Sequence, residues 1–419
     1  LDLKSISDLA HQGRSKLLTQ RSQQSAELPL RYWNQQAHFT TPASGTPEKA
    51  IQGLAAVSKI LQRLDLTPQR IGSHTGAPEN FIEEILQQKN RHSPFVMVDA
   101  EDAVALTEES IPQARDGAIR CFTQEDWGTT LPFFRPAGLM LQSCVDDLTT
   151  VLTDVVDESK PETYPIAGIV WPKVEHPEEL MWVCDLLKKI ESQVGIAENS
   201  IKLEFLVESG YALAQLPELV KATAHRLAGI IWGIADYSAD TNLPRIENTH
   251  PLCEWARFEI VNLAGAANVP AIDNMTLNYP TPLHRGGDLS DKENEENKIA
   301  VLDALKEVYD DSTHGIDMGM SGKWVGHPLQ LLMVMTAYRN AIPIEQIEKD
   351  VAEIEAFAQI VESGTGATIL GEGADEYMAD RATDRHLRAR LRRATAWGAL
   401  DKEKSQSLGI ITQEEYDQL

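Results

Sequence analysis

From about residue 70 onwards, short apolar runs alternate with longer stretches whose apolar residues recur at helical spacing, the rhythm of repeated βα units. The predicted strands are Arg70–His74, Phe95–Asp99, Leu131–Arg135, Ile166–Lys173, Ile201–Val207, Gly229–Ile234, Val269–Asp273 and Ile316–Met320. Helical spacing lies between them over Glu178–Gln193, Glu218–His225 and Pro251–Ala267. Phe95-Val-Met-Val98 is the plainest strand, because an unbroken apolar run reads as buried on both faces, as in a parallel sheet covered by helices. Eight alternations predict an α/β fold closed into a (β/α)8 TIM barrel rather than an open doubly wound sheet. No GxGxxG or Walker pattern follows any of these strands, which argues against a dinucleotide or nucleotide site.

The flanks read differently. Residues 1–69 carry eight Lys and Arg against five Asp and Glu, with Gln and Ser clusters, and Ile51–Leu64 has amphipathic helical spacing. This stretch is expected to be an N-terminal extension packed on a barrel that spans 70–340. Leu283–Lys298 is polar and charged and predicts a surface loop leading into a helix from Ala300. Helices are expected over His327–Arg339 and Ile344–Glu362, then a glycine-rich loop over Gly364–Ala374 and a helical tail, so that 341–419 forms a helical C-terminal segment.

With 419 residues the chain can bury a large core, and its net charge of -25 excludes general nucleic-acid binding, which needs a surplus of Lys and Arg. Cys121, Cys144, Cys184 and Cys253 are widely spaced without a CxxC pair, which fits a reducing, cytoplasmic compartment rather than a zinc site or a disulfide framework. No apolar run approaches the roughly 20 residues of a membrane span. The N-terminus lacks the basic and then apolar pattern of a secretory signal, and a start at Leu1 leaves room for residues ahead of it.

Several predicted strands end in groups that an apolar core does not tolerate: Arg135, Lys173, Glu208 and Asp236. One such end may be dismissed as reaching solvent, but barrel closure brings four of them around a single mouth. Asp99, Glu101 and Asp102 follow Phe95-Val-Met-Val98, either as a site for a cation or proton or as acids in a helix first turn. Glu208 and Asp236 can supply two hard oxygen ligands, which suits Mg2+ with its other positions left to water and substrate. Arg135 can grip a carboxylate through two parallel hydrogen bonds. Such a set suits an aldol-type cleavage or condensation of an α-keto acid.

Asp99-Ala-Glu-Asp-Ala-Val104, Pro172-Lys-Val-Glu175, Val207-Glu-Ser209, Gly233-Ile-Ala-Asp-Tyr237, Ala271-Ile-Asp273 and Gly322-Lys-Trp-Val-Gly-His-Pro-Leu-Gln330 occur in that order. Together they resemble the citrate lyase beta subunit and malyl-CoA lyase family, Mg2+-dependent acyl-CoA lyases built on (β/α)8 barrels. The resemblance implies that Glu208 and Asp236 bind the metal and that Arg135 holds the carboxylate of the keto acid. It implies that Glu101 and Asp102 organise the acidic side of the pocket, while Lys173 and the Lys323, His327 and Pro328 segment line the mouth near the thioester and the CoA arm. Arg70 resembles the arginine that opens the family's first strand. Relatives of the malyl-CoA lyase type also use an aspartate from a neighbouring subunit's C-terminal lid. Asp380 is the candidate for it here, with Asp375 as the alternative and a helix cap as the plain reading of Asp380. For His327 a helix-entry role is favoured over acid-base work, and His74 is a weaker pocket candidate. Arg381–Arg393 is read as a solvated interface helix or as a patch for CoA phosphates.

The function so implied is a Mg2+-dependent carbon-carbon lyase that splits or forms a 3-hydroxyacyl-CoA, with an acyl-CoA and an α-keto acid as its small-molecule partners, in a homo-oligomeric trimer or hexamer. The alternatives are a CoA-ester-hydrolysing synthase or thioesterase, a CoA-independent pyruvate aldolase, and a non-catalytic CoA-thioester-binding subunit.

Overall fold

Eight parallel strands close into a barrel in the computed structural model, which describes residues 3–24, 28–105, 107–156, 164–371 and 376–418. They are β1 (Ala37–Pro42), β2 (Phe95–Asp99), β3 (Leu131–Arg135), β4 (Gly168–Trp171), β5 (Lys202–Val207), β6 (Leu227–Trp232), β7 (Ala271–Asp273) and β8 (Gly322–Val325). Each pairs with its neighbours in chain order, and β8 returns to β1. The register sets Pro42 beside Asp99 and Asp99 beside Arg135, and it sets Asp273 beside Lys323. Polar strand ends therefore converge on the C-terminal rim, the face on which barrel active sites are built.

The middle six strands fall where the apolar runs predict them, and the two at the seam do not. Arg70–His74 is helical, within Pro68–Thr75: Thr67 caps it by accepting from the Arg70 N–H, Pro68 opens it, and Gly76 closes it at φ 81°. The first strand lies earlier, at Ala37-His-Phe-Thr-Thr-Pro42, so the barrel begins inside the expected extension rather than at residue 70. Its His and Thr residues hide it from an apolar-run criterion. Ile316–Met320 is the end of a helix that runs over Asp291–Asp317, and β8 follows after Gly319, at φ 100°. That helix starts nine residues before Ala300, because Ser290 and Glu293 form a capping box and shorten the expected loop.

Outside the barrel, the amphipathic segment is a helix over Gly53–Leu64 that buries Leu54, Val57 and Leu61. The helix Pro328–Ala341 packs on it. Beyond the barrel, the helix Ile344–Glu362 and a helix over Arg381–Ala396 share a second apolar cluster with Leu30 and Ile342. Between them Thr368–Leu370 and Tyr377–Ala379 pair antiparallel, a hairpin the glycine-rich composition had masked. Three of the six arginines of Arg381–Arg393 are paired inside this segment. Arg390 forks onto Asp350 at 2.5 and 2.6 Å, Arg388 pairs with Asp384 at 2.9 Å, and Arg392 pairs with Glu415. Trp397 donates to the Trp33 carbonyl at 3.1 Å and ties the tail to the segment that enters β1, at the barrel's N-terminal end.

Inside that end of the barrel sits a buried polar pair. His38 on β1 and Glu204 on β5 are both essentially without solvent exposure, and the His38 Nδ1 lies 3.7 Å from a Glu204 oxygen, too far for a hydrogen bond. The other ring nitrogen, Nε2, is 2.7 Å from the Gln35 side-chain oxygen. Burial pushes the Glu204 carboxyl up to about 8 and the His38 imidazole well down, so both are predominantly neutral at pH 7 and form no ion pair. Because the Glu204 carboxyl is held protonated in the fold, its contribution is full below about pH 4.5 and is lost as pH rises towards 8. Glu204→Gln is therefore expected to raise the unfolding free energy at pH 8 by roughly 1–3 kcal/mol, with the gain vanishing near pH 4.5. Urea unfolding of both proteins across that range measures it.

Candidate active site

The C-terminal rim encloses a cavity of about 460 Å³ lined by Asp99, Asp102, Arg135, Glu208 and Asp236 from the polar side and by Met275, Leu277, Tyr279 and Trp324 from the apolar side. Its centre is an ion pair between neighbouring strands. The Arg135 Nε and Nη2 each donate to an Asp99 oxygen at 2.6 Å, and the same carboxylate accepts from the backbone N–H groups of Glu101 at 2.9 Å and Ala103 at 3.1 Å. Both side chains are fully buried. Burial disfavours the Arg135 charge, and the adjoining Asp99 more than offsets that, so the guanidinium stays charged. Its Nη1 is buried with no hydrogen-bond partner and lies 3.6 Å from Glu101 and 3.9 Å from Asp102. The sequence predicts that Arg135 grips a ligand carboxylate through two parallel hydrogen bonds; its Nε/Nη2 fork is instead bound to Asp99, and Nη1 is the nitrogen left without a hydrogen bond. The face of the guanidinium lies against the Trp324 ring, 5.3 Å from the centroid.

Lys173 draws the acids together. At the end of β4 it takes a left-handed φ of 48°, unusual for a side chain of this kind, and its N–H donates to the Glu208 Oε2 at 3.0 Å. Its Nζ reaches Asp102 at 3.2 Å and Glu101 and Asp236 at 3.5 Å each. Desolvation would lower the ammonium's pKa, but Glu208, Glu101, Asp102 and Asp236 together raise it. Burial pushes Glu101 up to about 7 against the pull of Arg135, and it does the same to Glu208 against Arg135 and Lys173. Glu208 fits only because Gly233, at the end of β6, has no side chain: a Cβ there would lie 2.4 Å from the Glu208 Cγ.

Among the described residues no group of three or more His, Cys, Asp or Glu is gathered as a complete metal cage. Two carboxylates, Glu208 and Asp236, open onto the same cavity, the first buried and destabilised by its own charge, the second half-exposed. That donor set fits a hard cation that keeps most of its positions for water and a ligand. Burial disfavours the Glu208 charge more than Arg135 and Lys173 offset, and such a cation would relieve the difference.

The remaining candidates lie elsewhere. Lys323 is fully buried: its Nζ donates to the Asn274 carbonyl at 2.8 Å and lies 3.2 Å from Asp273, which also binds Arg257 at 2.7 Å. Burial alone would raise the Asp273 carboxyl, and Lys323 and Arg257 hold it below its ordinary value instead. Lys323 thus braces the end of β7 and does not line the mouth. Pro328 opens the helix Pro328–Ala341, and the His327 ring caps it by accepting from the Leu329 N–H at 3.2 Å. Burial, with Arg63 adding to it, pushes His327 down to about 4, so it is neutral, in keeping with a helix-entry role. Arg70 pairs with Glu295 and His74 with Asp303 on the barrel's outer layer, so neither opens the first strand nor enters the cavity. Asp380 caps Arg381–Ala396, accepting from Ala382 at 2.8 Å and Thr383 at 3.2 Å, and it does not line this chain's cavity. Asp375 lies outside the described residues. Sequence reasoning did not anticipate the roles of Asp99 as the clamp on Arg135, of Gly233, or of Trp324 and Tyr279. Adjacent strand ends of opposite charge were the available signal for the first.

A family profile described as a domain of unknown function, DUF6986, matches residues 100–419, well over half of the chain. The chain belongs to the DUF6986 family. This DUF6986 protein is similar to an L-malyl-CoA/beta-methylmalyl-CoA lyase of Haloarcula marismortui, with 25% identity over 78% of this chain and 88% of the relative. It is similar to the mitochondrial citramalyl-CoA lyase of Homo sapiens, with 24% identity over 69% of this chain and 76% of that one. Its fold matches a solved citrate lyase structure from Burkholderia xenovorans with a TM-score of 0.60 and 17% identity, over 91% of this chain and 97% of that chain. The expected resemblance to the citrate lyase beta subunit and malyl-CoA lyase group is thus met in sequence and in fold. No described helix is long and apolar enough to cross a membrane.

Gly233→Ala is expected to push the Glu208 carboxylate out of its place and to lower the unfolding free energy by about 1–3 kcal/mol. Thermal and urea unfolding measure the cost, and a crystal structure of the variant locates the displaced side chain.

Proposed function

We propose that this DUF6986 protein is a Mg2+-dependent carbon-carbon lyase that splits, or in reverse forms, a 3-hydroxyacyl-CoA from an acyl-CoA and a short α-keto acid. The observation that carries the reading is that Arg135, whose Nη1 makes no hydrogen bond, lines the same cavity as Glu208 and Asp236. The similarity to relatives named as malyl-CoA and citramalyl-CoA lyases supports it independently.

In this reading Glu208 and Asp236 hold Mg2+, which when bound supplies Lewis-acid polarisation of a carbonyl oxygen. Arg135 receives the keto acid's carboxylate through Nη1, and Asp99 fixes the guanidinium so that its direction does not vary. Glu101, half protonated near neutral pH, is suited to take the proton from the carbon next to the thioester and to return it in the cleavage direction. Lys173 keeps Glu101, Asp102 and Asp236 together while their charges change. Trp324 and Met275 cover the apolar side and keep water from the enolate.

The test is to incubate the protein with Mg2+, acetyl-CoA or propionyl-CoA and a panel of 2-oxo acids, and to follow products by mass spectrometry. A CoA-linked hydroxyacyl product is expected, and free thiol appearing in step with a free hydroxy acid would point to the hydrolysing synthase instead. Glu101→Gln is expected to lower kcat by about 100-fold or more while Mg2+ affinity, read by calorimetry, changes by no more than about 3-fold. Full turnover in Glu208→Ala, or no product with any pair, would overturn the proposal.

A further inference from the structure

The segment after β7 alternates in what it does. Thr276 donates through its hydroxyl to Asp311 at 2.8 Å, and Asn278 donates to Glu307 at 2.9 Å, while Asn274 accepts from Arg257 at 2.6 Å. These polar positions bind the segment to the helix Asp291–Asp317 and to the barrel brace. Met275, Leu277 and Tyr279 line the cavity together with Asn274, and Leu277 and Tyr279 remain 48% and 39% exposed at its mouth.

Tyr279 is held by what lies beneath it. A Cβ on Gly326 would come within 2.1 Å of the Tyr279 hydroxyl oxygen and 2.9 Å of the Met275 sulfur. Gly326 does not have a positive φ, so its lack of a side chain answers to the phenol rather than to the backbone. The phenol hydroxyl lies 3.1 Å from that sulfur, and the ring meets the His327 ring edge-on at 6.5 Å between centroids. Gln330 locks the two partners together, accepting from the Gly326 N–H at 2.9 Å and donating to the Thr276 carbonyl at 2.9 Å. Two residues before Gly326, Trp324 covers Arg135. The wall therefore runs from the guanidinium, over Trp324, to the Tyr279 ring.

We propose that Tyr279, seated on Gly326, limits the length of the aliphatic group carried by the 2-oxo acid whose carboxylate Arg135 holds, which restricts the protein to short-chain members of that class. The inference rests on the reading given under Proposed function. Arg135 fixes one end of the acid, and the group on the far side of its carbonyl then extends along the apolar wall. A misfit of one methylene in such a pocket costs about 10-fold or more in discrimination.

The test is calorimetric titration with glyoxylate, pyruvate, 2-oxobutyrate and 2-oxovalerate in the presence of Mg2+, with wild type, Tyr279→Ala, Tyr279→Phe and Gly326→Ala. Wild-type affinity is expected to drop by about 10-fold or more at one step of the series. Tyr279→Ala moves that step to a longer acid, Tyr279→Phe leaves it in place because the ring rather than the hydroxyl forms the wall, and Gly326→Ala moves it by dislodging the ring. A flat wild-type profile, or a step that stays at its wild-type place in both Tyr279→Ala and Gly326→Ala, would overturn the inference while leaving 2-oxo acid binding intact. Failure of the wild type to bind any of the four acids would instead remove the proposed function, and the inference with it.

Discussion

Much of the cavity's order depends on one buried ion pair, Arg135 with Asp99. A guanidinium and a carboxylate taken out of water are tolerated only when both are fully engaged, and removing one partner of such a pair costs about 3–5 kcal/mol. Asp99 meets that demand with two bonds to Arg135 and two from the backbone of Glu101 and Ala103. The same bonds shape the turn that carries Glu101 and Asp102 over the mouth. They also decide which nitrogen of the guanidinium, Nη1, is left without a hydrogen bond. Structural support and ligand direction thus come from a single contact between the ends of β2 and β3.

A second brace acts on the opposite wall. Asp273, gripped by Arg257 and Lys323, fixes the end of β7, and Lys323 also holds the Asn274 carbonyl where the chain leaves the strand. The barrel side of the cavity is consequently rigid and charged. The other side is a loop with an apolar edge, anchored by the polar side chains of Asn274, Thr276 and Asn278. Chemistry and selectivity are in this way assigned to different parts of the fold: ion pairs between strand ends hold the reacting groups, and Met275, Leu277 and Tyr279 shape what can reach them.

The sequence made the barrel legible wherever its strands are apolar on both faces, and Phe95–Asp99 and Leu131–Arg135 stand at the predicted residues. It failed at the seam. β1 carries His38 and Thr41, and His38 is buried against Glu204 on β5, a neighbour that only closure supplies. Arg70 was misplaced with that strand, since Thr67-Pro68 and Gly76 are helix signals that an apolar-run reading overrides. At the rim, the charged strand ends Arg135, Glu208 and Asp236 of the cavity, with Lys173 beside them, were legible because closure brings several such ends around one mouth. Lys323 was not, because a lysine with two buried partners looks in sequence like a lysine facing solvent. Gly233 and Gly326 were equally silent: each is defined by a side chain from another segment that occupies the space a Cβ would take.

The assignment of Arg135 as the group that holds the keto acid is most directly tested by calorimetric titration of pyruvate, with Mg2+ present, into the wild type and Arg135→Lys. Circular dichroism confirms that the variant is folded. A lysine keeps the charge beside Asp99 but has no planar fork with a free Nη1, so the affinity for pyruvate is expected to fall by about 100-fold or more. An affinity unchanged within about 3-fold, in a folded Arg135→Lys protein, would contradict the assignment and the function built on it.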